Sequence, residues 1–207
     1  MTKGLFITLE GNEGCGKSTQ IKKLQEALAA RGQAVTVLRE PGSTDIGGKI
    51  RNLLKDPTNQ ICSESELFLF QAARAQLVQE VIRPKLAAGE IIIADRFYDS
   101  TWVYQGWARG VNLLAIEFTN KLATIGVEVS KTFLIKVPLA VCTERVKSRG
   151  NLDRFELEGQ KLLSKIDEGY NELVKNFPQR VDVVDGNRDI ETVHQELLAK
   201  TIRLIER

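Results

Sequence analysis

The stretch Gly11-Asn12-Glu13-Gly14-Cys15-Gly16-Lys17-Ser18-Thr19 brings together the residue types that hold a nucleotide phosphate tail, at the spacing the task requires. Its glycines let the backbone curl so that successive N–H groups point inward at an anion. Lys17 supplies charge for the outer phosphates, and the Ser18 hydroxyl is of the type that ligates Mg2+. The stretch follows the apolar run Leu5 to Leu9 and opens an amphipathic pattern from Lys17 to Ala30. A strand leading through such a turn into a helix aims the positive end of that helix at bound phosphate. An ordinary glycine-rich turn lacks this context, so nucleotide binding is the working expectation. Cys15 has no activating histidine nearby and reads as a small residue in a tight turn, not as a nucleophile.

A second anionic substrate beside the nucleotide would need cationic forks in fixed positions, and Arg51, Arg74 and Arg96 are the candidates. Each, taken singly, also reads as a solvated or structurally paired side chain. Phe70 and Arg74 stand four residues apart, which on a helix places a stacking surface beside a directional donor. The alternative for Phe70 is a core aromatic. Arg145, Lys147, Arg149 and Arg154 surround Gly150-Asn151-Leu152-Asp153, where a helical pattern pauses and resumes. A mobile basic loop of this kind closes over phosphates and excludes water, while the plainer reading is a solvated connection. Glu10 and Asp95 are the acids best placed to organise a metal through water. His194, with Glu191 and Glu196 nearby, reads as a surface residue.

These residues need elements to bring them together. Short β-rich runs (5–9, 34–39, 91–94, 132–137 and 181–184) alternate with helical patterns, which is βαβ logic. Ile91-Ile92-Ile93-Ala94 is apolar without alternation, as expected of a strand covered on both faces. Helices are expected from about Ile46, from Ser63 to Pro84, over 112–124, 139–148 and 156–175, and from Ile190 to Ile205. Ser63 with Glu66 has the form of a capping box. The expected architecture is α/β: five parallel strands, doubly wound and flanked by helices. Such sheets bind ligands beyond the carboxyl ends of their strands. The phosphate loop, the Glu40-Pro41-Gly42 turn, the Asp95-Arg96 pair and the Asp185-Gly186-Asn187 turn all follow expected strands and therefore share one edge.

With 207 residues and 43% hydrophobic content, one domain spanning 1–207 is expected. The net charge of +2 is dispersed, which argues against a nucleic-acid partner. No cleavable leader and no apolar stretch near the roughly 18 residues of a membrane span is legible, so a soluble, unprocessed protein with no membrane association is expected. Cys15, Cys62 and Cys142 are odd in number and without metal-ligand spacing, as in a reducing cytoplasm.

Five segments in this order resemble the bacterial thymidylate kinases over nearly the whole chain. They are Glu10 to Thr19; Arg39-Glu40-Pro41-Gly42-Ser43-Thr44; Phe70-Gln71-Ala72-Ala73-Arg74; Asp95-Arg96-Phe97 leading to Tyr104-Gln105-Gly106; and Arg149-Gly150-Asn151-Leu152-Asp153-Arg154. The resemblance implies a P-loop NTPase-type fold with a lid at about 145–157, a homodimer, and transfer of the γ-phosphoryl group of ATP to dTMP in dTTP biosynthesis, with Mg2+. It implies that residues Gly11 through Thr19 bind ATP, with Lys17 on its phosphates and Ser18, Glu10 and Asp95 toward the metal. It further implies that Phe70 stacks on thymine, Arg74 donates to a base carbonyl, and Thr101 and Gln105 contact the base or its surroundings. Glu13 lies near the sugar 3′-hydroxyl, and Glu40 belongs to the same site. Tyr104 packs where a ribose 2′-hydroxyl would project, Arg51 and Arg96 hold the acceptor phosphate, and Arg149 and Arg154 face the group in flight. The chain departs from the family pattern at Ser43, where a second glycine is usual, and at Phe97, where tyrosine or histidine is common. Serine restricts the loop that carries Glu40. A deoxynucleoside kinase, a kinase for another nucleoside monophosphate, and a nucleotide-dependent binding switch remain open at this level; a panel of acceptors separates them.

Overall fold

The computed structural model describes residues 4–148, 150 and 153–206. Five strands, β1 (Leu5–Glu10), β2 (Val35–Arg39), β3 (Ile91–Asp95), β4 (Lys131–Lys136) and β5 (Val181–Asp185), pair in the order β2-β3-β1-β4-β5, every pairing parallel. Their residues alternate between faces, as a pleated strand dictates. Ile7, Leu9, Ile91 and Ile93 join the core beneath α1 (Lys17–Ala29) and α10 (Ile190–Ile205), whereas Phe6, Ile92 and Ala94 join the core on the other side. That second side is covered by α3 (Ser63–Leu77), α6 (Leu113–Thr124) and α9 (Gln160–Asn176), and Thr8 and Glu10 share its side of β1. Shorter helices α2 (Asp45–Lys55), α4 (Arg83–Ala87), α5 (Tyr98–Thr101), α7 (Leu139–Lys147) and α8 (Arg154–Leu157) are the other α-helices among the described residues. Leu9 and Arg39 both register with Asp95, so the carboxyl ends of the three strands on this side of the sheet lie together.

Three local readings are corrected, and one unassigned segment gains its structure. Ser63 is not a cap: Cys62 occupies the N-cap with extended backbone and no side-chain bond, because Glu66 turns inward to Arg109 and the buried Arg154 instead of back along the helix. Nor does Pro84 end its helix. A π-helical turn over Val78–Ile82 precedes it, and the proline falls in the first turn of α4, where its missing N–H is tolerated. The segment after Phe97, on which no element was placed, forms α5 and a π-helical stretch over Trp102–Ala108 that buries Trp102 and Val103. Finally, His194 is buried on α10, where burial lowers its pKa, and it does not lie on the surface.

Candidate active site

The phosphate loop leaves β1 at Gly11 and enters α1 at Lys17. A Cβ at Gly11 would lie 2.4 Å from the Ile135 carbonyl oxygen, and one at Gly14 would lie 2.7 Å from that of Cys142, so the loop's close approach to β4 and α7 demands glycine. Gly16 caps α1 with φ +98 and no side-chain bond, leaving the first-turn N–H groups open toward a ligand. Lys17 is folded onto its own loop: Nζ donates to the carbonyls of Gly11 and Asn12, each at 3.0 Å. A cavity of about 470 Å3 covers Glu13 through Gln20 and extends to Arg145, Gly186 and Arg188. Arg145 donates to the Gly14 carbonyl at 3.2 Å. Arg188 was missed in the sequence, although it directly follows the turn expected beyond β5. Cys15 is buried among core residues, as its reading as a turn residue expects.

A second cavity of about 410 Å3 adjoins the first, and Glu13, Ser18 and Asp95 line both. It gathers Glu40, Arg51, Phe70, Arg74, Arg96, Thr101, Tyr104 and Gln105 from separate elements. Glu66, Phe70 and Arg74 stand at i, i+4 and i+8 on α3, so one helical face offers a carboxylate, an aromatic ring and a guanidinium in a row. Arg74 is buried with every N–H used: Nε and Nη2 bind the Glu40 oxygens at 2.7 and 2.9 Å, Nη1 binds Gln71 and Asn120, and Nη2 also binds Thr101. A base carbonyl would therefore have to replace one of these partners. Burial pushes the Glu40 carboxyl up from its ordinary value, and the Arg74 fork works against that. Ser43 does not disturb the loop carrying Glu40; it closes it, accepting from the Arg39 N–H at 2.7 Å and donating to the Arg39 carbonyl. Arg51 donates to the Pro41 carbonyl at 2.9 Å, while burial and the nearby Arg39 lower its pKa.

Arg96 directly follows β3 with φ +71, a left-handed conformation that costs an L-residue about 1–2 kcal/mol. Its guanidinium reaches Ser100, Tyr170 and Glu13 at 3.0, 2.7 and 3.1 Å and lies over the Tyr104 ring. Burial opposes its charge, yet Tyr104, Tyr170, Glu13 and Glu10 hold its pKa well above the ordinary value. For Glu13, burial is outweighed by Arg96, Lys17 and Lys55, which keep the carboxyl well below the usual carboxylate range. Of the two acids expected near a metal, only Asp95 faces the junction of the cavities. Glu10 is fully buried and its oxygens accept from the Phe97 N–H, Ser100 and Tyr170. Burial raises its pKa to about 7, with Arg96 pulling the other way, and Glu10 lines neither cavity. The reason is its facing: Glu10 lies on the α9 side of β1.

Arg149 lies outside the described residues. Arg154 does not reach the phosphate loop; it donates to the Leu54 carbonyl at 2.8 Å and to the buried Glu66 at 2.5 Å. Glu66 also takes Gln105 at 2.7 Å and Arg109 at 2.6 Å, and Arg109 continues to Glu158. Asp153 caps α8 in a capping box with Glu156 and binds Lys55. Glu66, Arg109, Phe155 and Tyr170 were not foreseen as site residues. Of these only Glu66 carried a signal, its spacing of one helical turn from Phe70.

A family model described as Thymidylate kinase matches residues 9–197. The chain is 42% identical to the thymidylate kinase of Thermoanaerobacter sp. (strain X514) over 198 residues, 95% of this chain and 96% of that protein. It is 45% identical to the thymidylate kinase of Geobacter sp. (strain M21) over 195 residues, 91% of this chain and 87% of that protein. The crystal structure of thymidylate kinase from Ehrlichia chaffeensis superposes with a TM-score of 0.76 at 32% identity, covering 96% of this chain and 98% of that one.

Proposed function

The chain belongs to the thymidylate kinase family, and from that premise we propose how its residues share the transfer of the γ-phosphoryl group of ATP to dTMP. The products are dTDP and ADP, a step of dTTP biosynthesis catalysed by an ATP-dependent nucleoside monophosphate kinase. One observation supports the division of labour best: two cavities meet, with Glu13, Ser18 and Asp95 at the junction and Lys17 and Arg96 on either side.

The nucleophile is an oxygen of the dTMP phosphate. A phosphomonoester with a second pKa of about 6 is largely dianionic near neutrality, so no side chain has to remove a proton. The work of the protein is positioning and charge compensation. Gly11 through Thr19 hold the ATP phosphates on backbone N–H groups, and Lys17 exchanges its two loop carbonyls for phosphate oxygens. Arg96, braced by Ser100 and Tyr170, holds the acceptor phosphate together with Arg51. Ser18 and Asp95 fit Mg2+, a hydroxyl and a carboxylate at the junction; when bound it supplies neutralising charge to the transferring group. Arg149 is the lid cation assigned to that group. Arg154, whose present partners commit it to Glu66, anchors the lid at about 145–157 in this state. Phe70 faces the thymine ring, Thr101 and Gln105 lie along it, Arg74 fixes Glu40 beside it, Glu13 approaches the 3′-hydroxyl, and Tyr104 fills the 2′ side.

The chain acts as one domain, 1–207, supported by the extent of the family match. It pairs with a second copy of itself. Leu114, Phe118 and Leu122 form an exposed i, i+4, i+8 apolar stripe on α6, and α6 packs on α3, which itself exposes Phe68. Three unpaired cysteines fit a reducing cytoplasm, and the dispersed charge favours nucleotides over nucleic acid as partners. No helix among the described residues is long and apolar enough to cross a membrane.

Steady-state kinetics with separate variation of ATP and dTMP test the assignment. Lys17→Ala is expected to lower kcat at least about 100-fold. Phe70→Ala is expected to raise the KM for dTMP and leave that for ATP in place. An unchanged KM for dTMP in Phe70→Ala would exclude stacking at that position.

A further inference from the structure

The lid carries an aromatic side chain that the division of labour above does not use. Phe155 is the second residue of α8, and its ring stands 6.2 Å from that of Phe70 and 6.2 Å from that of Tyr104. All three rings line the acceptor cavity. Its neighbour sets the position of Phe155: the Arg154 guanidinium lies over the Phe155 ring at 4.3 Å while it binds Glu66. Glu66 at the same time holds Gln105 in the wall of the cavity. One buried carboxylate thus positions both a lid helix and a residue beside the base.

We propose that Phe155 is a second base-contacting residue, closing on the nucleobase from the lid opposite Phe70, so that base occupancy and lid position are coupled through Glu66. The inference rests on the reading that Phe70 faces the base. A planar ring between two aromatic faces needs about 7 Å, two contacts of roughly 3.5 Å each. The Phe70 and Phe155 rings are 6.2 Å apart and inclined by 54°. Entry of a base therefore has to turn and displace Phe155, and with it α8. Gly159, just beyond α8, stands at φ +82 in open space, so the described backbone after the helix can follow. A base bound there gains a second face and restrains the lid, whereas a sugar phosphate without a base touches neither ring.

The test compares dissociation constants for dTMP and for 2-deoxyribose 5-phosphate, measured by calorimetry on the intact protein without ATP. Phe155→Ala is expected to weaken dTMP about 3- to 10-fold, to leave 2-deoxyribose 5-phosphate within about twofold, and to be rescued by Phe155→Tyr. Glu66→Gln is expected to lose the same discrimination, with little further loss when Phe155→Ala is added. Equal weakening of both ligands in Phe155→Ala, or none of either, overturns the inference. Phe70→Ala separates the layers. If it leaves dTMP binding intact, the stacking reading fails and the inference with it; if it weakens dTMP while Phe155→Ala does not, the inference alone fails.

Discussion

Arg74 and Glu40 meet fork to fork at the acceptor cavity, with Nε–Oε1 at 2.7 Å and Nη2–Oε2 at 2.9 Å, and each side chain is only 1% exposed. They lie 34 residues apart in sequence, one on the turn after β2 and the other on α3. The pair ties the loop beyond β2 to the helix that presents Phe70, so it is as much a brace as a binding element. Arg74→Lys cannot reproduce two parallel bonds or reach Gln71, Asn120 and Thr101 at once. Arg74→Ala is expected to lower unfolding free energy by about 3–5 kcal/mol, because Glu40 is left buried without its counter-charge, and Arg74→Lys by less, because it keeps the charge and loses the fork. Urea denaturation measures this; a loss below about 1 kcal/mol would mark the pair as dispensable to the fold.

Glu10 predicts a pH dependence of stability. Burial lifts its pKa from 4.5 to about 7 in the folded protein, against the pull of Arg96. Between those values the folded chain binds the proton more tightly than the unfolded one, so this contribution is fully present below about pH 4.5 and is lost as pH rises through about 7. The loss is at most about 3 kcal/mol. Glu10→Gln is expected to flatten that part of the profile. Parallel wild-type and Glu10→Gln curves across the interval would count against it.

Tyr104 predicts sugar discrimination. The Arg96 guanidinium lies over its ring at 5.2 Å and holds it at the cavity wall. The wild-type enzyme is expected to prefer dTMP over its ribo counterpart by about 10- to 100-fold in kcat/KM, and Tyr104→Ala to narrow that ratio. Equal efficiency of the wild-type enzyme with both acceptors would remove the steric role of Tyr104.

Phe118 predicts the state of association. Its side chain is 69% exposed between Leu114 and Leu122. A charge placed there is buried without a partner on association, so Phe118→Glu is expected to sediment as a monomer under conditions where the wild-type chain is a dimer. A wild-type chain that sediments as a monomer at every concentration would refute the pairing.

The phosphate loop, the five strands and the terminal helix were legible in the chain itself because each is a local matter. A curl of glycines, a β-branched run and an apolar stripe at helical spacing are fixed by residues within a few positions of one another. The same reasoning paired Phe70 with Arg74. Tertiary structure alone decided the partners that lie far apart: Glu66 with Arg154 across 88 positions, Arg96 with Tyr170 across 74, and Glu10 with Tyr170 across 160. Those pairings depend on the order of strands in the sheet and on which face of β1 each residue occupies. For that reason Glu10, placed next to the phosphate loop in sequence, turns away from it, and Arg154, read as a cation for the transferred group, is drawn to a buried carboxylate. A charge finds its strongest partner where water is excluded, and the packing of the whole chain determines where that is.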